Sequence, residues 1–329
     1  MEFRILIAHN GTVYDATPVT LEGVELVQSI RMEAGCLRFS VVRDGILNFV
    51  EGDKVQFYVD GLLRFSGWIM TKERTSAQII AVTAYDMLFY LAKNKDTYVY
   101  WDKTATEVAK MIAAGAGLPV GTMTDTGWKI PQRIEEGQTL LDMIQSALDL
   151  TEKATGKEYF FFDGGGRLML RERQELVTNG VLCCDGGISD YWYRTDISKD
   201  TCNTVKLYQA GRKETEHLAF QAENAEKVRT WGKLQYYAHV PFTLTEAQLK
   251  EMAESVLQEK CRVVKELTVE NINGDLFLTA GQSVYLEIPD LAEIGIAQMS
   301  LIEKSTHIFK DGEHKMKLEM RVDCLLYTS

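Results

Sequence analysis

The stretch EGDKVQFYVDGLLRFSGWIMTKERTSAQIIAVTAYD, residues Glu51–Asp86, decides the fold. Apolar and polar residues alternate from Val55 to Val59, which is the period of a strand with one buried face. Asp60-Gly61 is a hairpin turn signal, and two further strand patterns follow on either side of the polar residues 72–76. These three strands, joined by short turns, predict a small, closed or nearly closed β-barrel.

The first 50 residues carry the same β pattern. Strands are predicted at Phe3–Ile7, Val24–Met32 and Cys36–Val42. With the meander they give five or six short strands, and closure into a barrel would remove their exposed edges. Residues 1–86 are therefore predicted to form a first β-barrel.

The composition changes after Asp86, where residues 87–92 predict one or two helical turns. Thr104-x-x-Glu107 fits a capping box, and an amphipathic helix follows it as far as Gly115 and Gly117. A second helix is predicted from about residue 138 to 156, and a hairpin from 158 to 171. Residues 87–185 are thus predicted to form an α+β insertion of two helices and a hairpin.

Residues 186–322 read as β structure again, with an inserted helix at 245–260, and residues 323–329 form a tail without a predicted strand. The segment Ala280–Leu286 repeats the pattern of Glu51–Phe57, and a second glycine follows in each copy, Gly67 and Gly295. This repeat predicts that the two ends are duplicated. The predicted fold class is α+β, mainly β, with two similar small β-barrels flanking the insertion.

Composition and charge exclude several classes of protein. With 46% hydrophobic and 25% charged residues the chain has the make-up of a soluble globular protein. The net charge of −11 disfavours a general nucleic-acid binder, which needs a basic surface. The N-terminus does not read as a signal peptide, and no apolar run reaches the ~20 residues that cross a bilayer. Six cysteines without CxxC spacing predict reduced thiols.

No motif in the sequence predicts catalysis. Gly115–Gly121 follows a helix and contains a proline, so a helix end is favoured over a dinucleotide loop. Gly164–Gly166 lies between two strands and is interpreted as a hairpin turn. Cys183-Cys184 has no activating base in the sequence. The five histidines lack the spacing of metal ligands: His9, His217, His239, His307 and His314. No catalytic, cofactor-binding or metal-binding residue, and no cofactor, is predicted.

Two groups of residues leave an alternative open. Glu135-Glu136 with Asp142 would supply the carboxyl pair of a glycosidase, although exposed glutamates before a helix are favoured by the helix dipole. The aromatic clusters Tyr98–Trp101 and Tyr191–Tyr193 would stack on sugars or bases. Tyrosine and tryptophan are also typical of interfaces and cores, and that interpretation is preferred.

The order of these parts resembles the baseplate hub proteins of contractile phage tails, of the XkdQ/YqbQ type found in Gram-positive prophages and phage-tail-like bacteriocins. The resemblance covers the chain to about Val322. It rests on the strand block Gly52–Gly67, the step Ala84-Tyr85-Asp86, the segments TATEVAKMIAAGAGLP (Thr104–Pro119) and TLLDMIQSALDLT (Thr139–Thr151), and the hairpin that follows. That family is similar in design to late control protein D and to the hub part of type VI spike proteins.

The resemblance implies a structural protein and no enzyme. It implies a homotrimer in which each subunit contributes two tail-tube-like barrels, so that three subunits match a six-fold tail tube and adapt it to a three-fold spike. The implied partners are the tube ring, the spike and other baseplate proteins, with no nucleic-acid specificity even where DNA passes through the channel, and no membrane insertion. The implied location is the virion tail baseplate or a phage-tail-like particle, after assembly in the bacterial cytoplasm. The alternative is a tail-associated cell-wall hydrolase or glycan-binding module.

Overall fold

The structure is a computed structural model, and it describes residues 2–43, 45–183, 190–210, 217–240, 245–293 and 296–322. Most of its regular secondary structure is β-strand. About 50% of the chain is strand and 22% is helix, which confirms the prediction of a mainly β fold with helices. The strands are β1 Phe3–His9, β2 Thr12–Asp15, β3 Val24–Ser29, β4 Cys36–Val42, β5 Lys54–Val59, β6 Leu62–Arg74, β7 Ile79–Tyr85, β8 Lys95–Tyr100, β9 Lys103–Thr104, β10 Val120–Met123, β11 Lys129–Ile130, β12 Arg133–Thr139, β13 Tyr159–Asp163, β14 Leu168–Glu172, β15 Val177–Cys183, β16 Asp190–Asp196, β17 Thr204–Ala210, β18 His217–Glu223, β19 Gln235–His239, β20 Val264–Asn273, β21 Ser283–Glu287, β22 Met299–Lys310 and β23 Glu313–Arg321. The α-helices are α1 Leu88–Lys93, α2 Ala105–Gly115, α3 Leu140–Thr155, α4 Ala225–Trp231, α5 Glu246–Lys260 and α6 Pro289–Glu293.

Local sequence signals explain where the longer helices begin. The Thr104 hydroxyl accepts a hydrogen bond from the Glu107 N–H, and the Glu107 carboxylate accepts one from the Thr104 N–H at 2.8 Å. This is the predicted capping box, and it satisfies two backbone donors at the start of α2. Thr139 caps α3, and Thr245 caps α5 with a second capping box that uses Gln248. Among the described residues, no helix is long and apolar enough to span a membrane.

The described residues divide into two compact units. One comprises residues 1–192 with 267–329, and the other residues 193–266. The predicted domains (1–86, 87–185 and 186–322) stay a prediction. Residues 323–329, which were predicted to form a tail, lie outside the described residues.

One large sheet occupies the first unit, and its strands pair in the order β20-β23-β22-β3-β4-β7-β6-β5-β1-β2. Strand β16 lies beside β20, and β21 pairs with β22 and with β15. Strand β3 pairs antiparallel with β22, with Ser29 opposite Lys304 and Val24 opposite Phe309. The two ends of the chain therefore share one sheet. The predicted arrangement of two closed barrels is not confirmed, because the described strands form no closed ring.

The core of this sheet also joins the two ends of the chain. Phe309 of β22 is buried with Phe57 of β5, and their ring centroids are 5.2 Å apart in an edge-to-face arrangement. A separate cluster buries α1, α2 and α3 against the β13–β14 hairpin. That cluster confirms that the helices and the hairpin pack together. It also contains strand β8, which pairs with β12 in a connection that the sequence pattern did not predict.

The second unit has its own three-stranded sheet, in which β17 is antiparallel to β18 and parallel to β19. Leu249, Ala253 and Val256 of α5 are buried in a cluster with Val205 and Leu207. Their spacing is that of one face of a helix, whereas Met252 is 38% exposed.

Candidate functional site

The turns that precede β5 and β21 have the same hydrogen bonds. In the first, the Asp53 N–H donates to the Val50 carbonyl at 3.3 Å, and the Asp53 carboxylate accepts from the Val50 N–H at 2.6 Å. In the second, the Gln282 N–H donates to the Thr279 carbonyl at 3.3 Å, and the Gln282 side-chain oxygen accepts from the Thr279 N–H at 2.9 Å. The backbone and side-chain bonds of the two turns therefore correspond one to one.

The same glycine position ties each turn to its return strand. Gly52 has φ +90° and Gly281 has φ +94°, a backbone conformation that favours glycine. The Gly52 N–H donates to the Ile69 carbonyl at 2.7 Å, and the Gly281 N–H to the Ile302 carbonyl at 2.8 Å. In return, the Ile69 N–H donates to the Asp53 carbonyl at 2.9 Å, and the Ile302 N–H to the Gln282 carbonyl at 2.8 Å.

The correspondence continues through the strands that follow. The register shifts just after Ile69 in the β6–β7 pair and just after Ile302 in the β22–β23 pair, so that a β-bulge falls at the same point. We call β5–β7 and β21–β23 the two copies of the strand module. Val55 pairs with Gly67 in the first copy and Val284 with Ser300 in the second, so Ser300 is the counterpart of Gly67. Gly295, the predicted counterpart, lies outside the described residues.

The two copies differ in their connections and neighbours. Asp60-Gly61 joins β5 to β6, whereas α6 lies between β21 and β22. Strand β5 has β1 as an antiparallel neighbour, whereas β21 has β15 as a parallel one. The module is thus repeated, but each copy stands in a different setting.

A cavity of about 210 Å³ lies in the first unit and contains polar side chains. Asp86, at the end of β7, is fully buried and accepts hydrogen bonds from the Gly35 N–H at 2.8 Å and the Leu88 N–H at 2.9 Å. Burial, and then the charge of Asp163, raise the pKa of Asp86 well above its usual value. Burial also raises the pKa of Asp163 to about 6, against the opposing effect of backbone donors that include the Gly166 N–H.

His307 lines the same cavity and is paired with His314. The ring nitrogens His307 Nδ1 and His314 Nε2 are 3.0 Å apart. Burial, then His314 and Arg64, lower the pKa of His307 to about 3, so its imidazole is neutral at pH 7. The lack of metal-ligand spacing among the histidines therefore did not reveal this pair. The sequence did contain a usable signal. If β22 and β23 are paired as a hairpin with Lys310 opposite Glu313, His307 and His314 lie diagonally across the two strands.

Neither of the other two histidines with described side chains joins this pair. His9 Nδ1 lies 2.8 Å from the Asp53 carboxylate, and His239 is exposed beside Tyr208 and Tyr237. The side chain of His217 lies outside the described residues. Within the described part of the chain, no group of three or more histidine, cysteine, aspartate or glutamate side chains is placed to hold a metal ion.

The predicted carboxylate candidates do not face a common site. Glu135 and Glu136 are neighbours on β12, so they point to opposite sides of the strand. The prediction that both are exposed is wrong for Glu135, which is 1% exposed and lies 3.1 Å from the Arg133 guanidinium and 3.4 Å from the Tyr100 hydroxyl. Asp142 lies in the first turn of α3, where a negative charge is favourable.

The aromatic candidates are split between core and surface. Tyr100 is buried with the helices, whereas Trp101 is 68% exposed. Val99 faces Ile134 across the β8–β12 pair, and both are more than half exposed. Trp192 is 53% exposed at a groove that also contains Glu270 and Lys317. The cluster Tyr98–Trp101 therefore does not form one stacking platform.

The glycine and cysteine candidates have structural positions. Gly164–Gly166 forms the turn between β13 and β14, and Gly115 ends α2, as predicted. Cys36 is buried, and burial raises its pKa to about 11, which opposes formation of a thiolate. Cys183 is half-buried and free, and Cys184 and Cys324 lie outside the described residues.

Comparison with known proteins places the chain in a family. The pattern of the YqbQ-like family matches residues 24–321. The chain belongs to the YqbQ-like family. It is 33% identical over 271 residues to the YqbQ protein of Bacillus subtilis, covering 82% of this chain and 81% of that protein. It is 32% identical, with the same coverage, to the phage-like element PBSX protein XkdQ of Bacillus subtilis.

Solved structures show that the YqbQ-like fold occurs in phage tail proteins. The 43 kDa tail protein of prophage MuSo2 from Shewanella oneidensis has a TM-score of 0.70 at 13% identity, covering 96% of this chain and 98% of that one. A tail protein from Neisseria meningitidis has a TM-score of 0.71 at 14% identity, covering 98% and 97%. A chain of the Francisella PdpA–VgrG complex has a TM-score of 0.57 at 10% identity, covering 98% and 58%.

Proposed function

We propose that this chain is a structural baseplate hub of a contractile phage tail or phage-tail-like particle. Its membership of a family that includes a protein of the PBSX phage-like element supports a tail role. The fold that it shares with prophage tail proteins agrees with that role. In this proposal three copies form a ring that adapts the six-fold tail tube to the three-fold spike.

The repeated strand module is the observation that carries the proposal. A trimer of a chain with one tube-contacting surface offers three contacts, and a six-fold tube needs six. Two copies of one module per chain supply six similar surfaces around a closed axis. The matching turns at Gly52 and Gly281, and the matching bulges after Ile69 and Ile302, are what such a repeat requires.

The open sheet also fits a role in an assembly. Within the described residues, β2 pairs only with β1, so its other edge presents unpaired backbone groups. Val13 on this strand is 62% exposed. Such an edge is a ready partner for a strand of a neighbouring chain. The barrel-like closure predicted from the sequence would then be completed between subunits.

In this function the chain works by contact and carries out no reaction. Its partners are the tube ring, the spike and other baseplate proteins, and it sits in the tail of the particle after assembly in the bacterial cytoplasm. DNA in an infective phage would pass through the ring without being read. The net charge of −11 agrees with a channel wall that does not hold nucleic acid.

The proposal is tested by the stoichiometry of a reconstituted complex. The full chain is mixed with the tube protein of the same particle, and the mass of the complex is measured by sedimentation or native mass spectrometry. We expect three copies of this chain for six of the tube protein. One copy of this chain for each tube subunit would overturn the adapter role.

A glycan-binding module is the second candidate, and the groove at Trp192 favours it. The groove holds an exposed indole beside Asp190, Glu270 and Lys317. Aromatic faces and hydrogen-bonding side chains together suit sugar rings. Retention of the chain on purified peptidoglycan, lost in Trp192→Ala and kept in Trp231→Ala, would support this function. Equal retention of both variants, or none for the unmodified chain, would exclude it.

A further inference from the structure

Arg64 lies at an irregular point of the first strand module. Phe57 of β5 pairs with Phe65 of β6, and the next residue, Tyr58, pairs with Leu63. Arg64 is thus the extra residue of a β-bulge, and it lines the 210 Å³ cavity. Bulges commonly turn a side chain toward a site that a regular strand would not reach.

The Arg64 guanidinium has two buried nitrogens without a partner. Nε and Nη2 are shielded from solvent and make no hydrogen bond with the described residues. The ring of Phe277 lies over the guanidinium at 5.3 Å, which further restricts access of water. Donors of a cation that are shielded from water and have no acceptor are costly, because they have lost their hydration without a hydrogen bond to replace it.

Each of the two nearby carboxylates accepts a hydrogen bond from a backbone N–H. Asp60 Oδ1 accepts from the Glu2 N–H at 2.8 Å, and Asp275 Oδ1 accepts from the Phe277 N–H at 2.8 Å. Both carboxylates raise the pKa of Arg64 through their charge, but burial has the larger effect and lowers it. Among the described residues, the guanidinium thus has charged neighbours but no carboxylate hydrogen-bonded to its Nε or Nη2.

Other charged and polar side chains line the same cavity. Asp86 and Asp163 are among them, and the charges that act on Arg64 are those of Asp60 and Asp275. His307 also lines it, as a neutral imidazole that does not repel an anion.

We propose that this cavity binds a small oxyanion of the carboxylate or phosphate type against the Arg64 guanidinium. Nε and an Nη of one guanidinium donate in parallel to two oxygens of such an anion. A volume of 210 Å³ accommodates it, since a water molecule occupies about 30 Å³ in the liquid. The proposal goes beyond the hub function and concerns the isolated chain, so its failure leaves the stoichiometry test unaffected.

The test is a titration of the full chain at pH 7.5 and constant ionic strength with sodium phosphate, sodium acetate and, as a control for salt, sodium chloride. Binding is followed by calorimetry and by the chemical shift of the arginine Nε–H. We expect saturable binding of phosphate or acetate and none of chloride. Arg64→Gln should lower the affinity at least tenfold, whereas Arg74→Gln, an exposed arginine of the same strand, should change it less than twofold.

Arg64→Lys separates loss of geometry from loss of fold. The lysine keeps the charge but not the two parallel donors. We expect this variant to bind the anion more weakly than the unmodified chain, with unchanged stability of the fold. Saturable binding that Arg64→Gln leaves unchanged would overturn the proposal. No saturable binding to the unmodified chain would also overturn it.

Discussion

Ile69 and Ile302 hold the same position in two copies of one strand module. The carbonyl of each accepts a hydrogen bond from the N–H of a glycine with positive φ. The N–H of each donates to the carbonyl of the residue that follows that glycine, and a β-bulge comes just after each isoleucine. The bonds from the glycines join residues that are 17 and 21 positions apart in sequence, so a chance match of single turns does not explain them. The internal repeat suggested by the sequence is therefore present in the backbone.

The two glycines provide a direct comparison of the copies. An added Cβ at Gly52 meets nothing within 4 Å, whereas one at Gly281 meets Ile30 at 3.3 Å and Leu176 at 3.4 Å. Gly52→Ala should reduce the free energy of unfolding by about 1–2 kcal/mol through backbone strain alone. Gly281→Ala should reduce it further, because crowding is added to the strain. Urea unfolding measures both, and an equal or smaller effect of Gly281→Ala would contradict the packing described.

Phe309 tests whether the two ends of the chain share one core. Phe309→Ala removes a buried ring from the contact with Phe57 and should reduce the free energy of unfolding by about 3–5 kcal/mol. Amide exchange in β1 and β5 should become faster as well, although these strands lie at the other end of the sequence. Phe277→Ala, at a residue 69% exposed, should cost about 1 kcal/mol or less. Unchanged exchange in β1 and β5 would show that the cores are separate.

Asp163 should make the protein less stable as the pH rises. Its pKa is about 6 in the folded chain and about 3.9 in an unfolded one. Between these values the folded chain holds more protons, so the free energy of unfolding falls as the pH increases. Asp163→Asn should reduce that fall by about 1–3 kcal/mol between pH 4 and 7. Asp200→Asn, an exposed control, should follow the unmodified chain, and a parallel pH profile for Asp163→Asn would contradict the buried carboxyl.

His307 should act in the opposite direction. Its pKa is about 3 in the folded chain and about 6.5 when unfolded, so in this window the unfolded chain binds more protons. The free energy of unfolding should therefore fall as the pH decreases from 7 to 4. Over that range the free energy of unfolding of His307→Asn should fall by about 2–4 kcal/mol less than that of the unmodified chain. His239→Asn, at an exposed position, should follow the unmodified chain. Titration of His307 near pH 6.5 by NMR would refute this prediction.

Short-range signals predicted the local parts of the fold. Thr104 and Glu107 form the capping box, Thr139 caps the next helix, and Asp60-Gly61 joins two strands. Each of these features is set by residues within about four positions of one another. The polar segment that contains α4 was not predicted as a helix, because its residues bury no apolar face.

The sequence pattern could not predict which strands distant in sequence pair with each other. Alternating apolar residues identify a strand but not its partner, so the pairing of β3 with β22 and of β15 with β21 could not be chosen. The first of these pairings joins the two ends in one sheet, where two barrels were expected. The position of Arg64 gave no signal either, because a bulge changes the direction of a side chain without changing the residue type.

The hub proposal is tested most directly by cryo-electron microscopy of the assembled particle, averaged at the end of the tail tube. We predict a ring of three copies of this chain, in which the modules of Ile69 and Ile302 alternate around the axis and each contacts one tube subunit. A ring with six copies, or three copies in which only one module reaches the tube, would contradict the account.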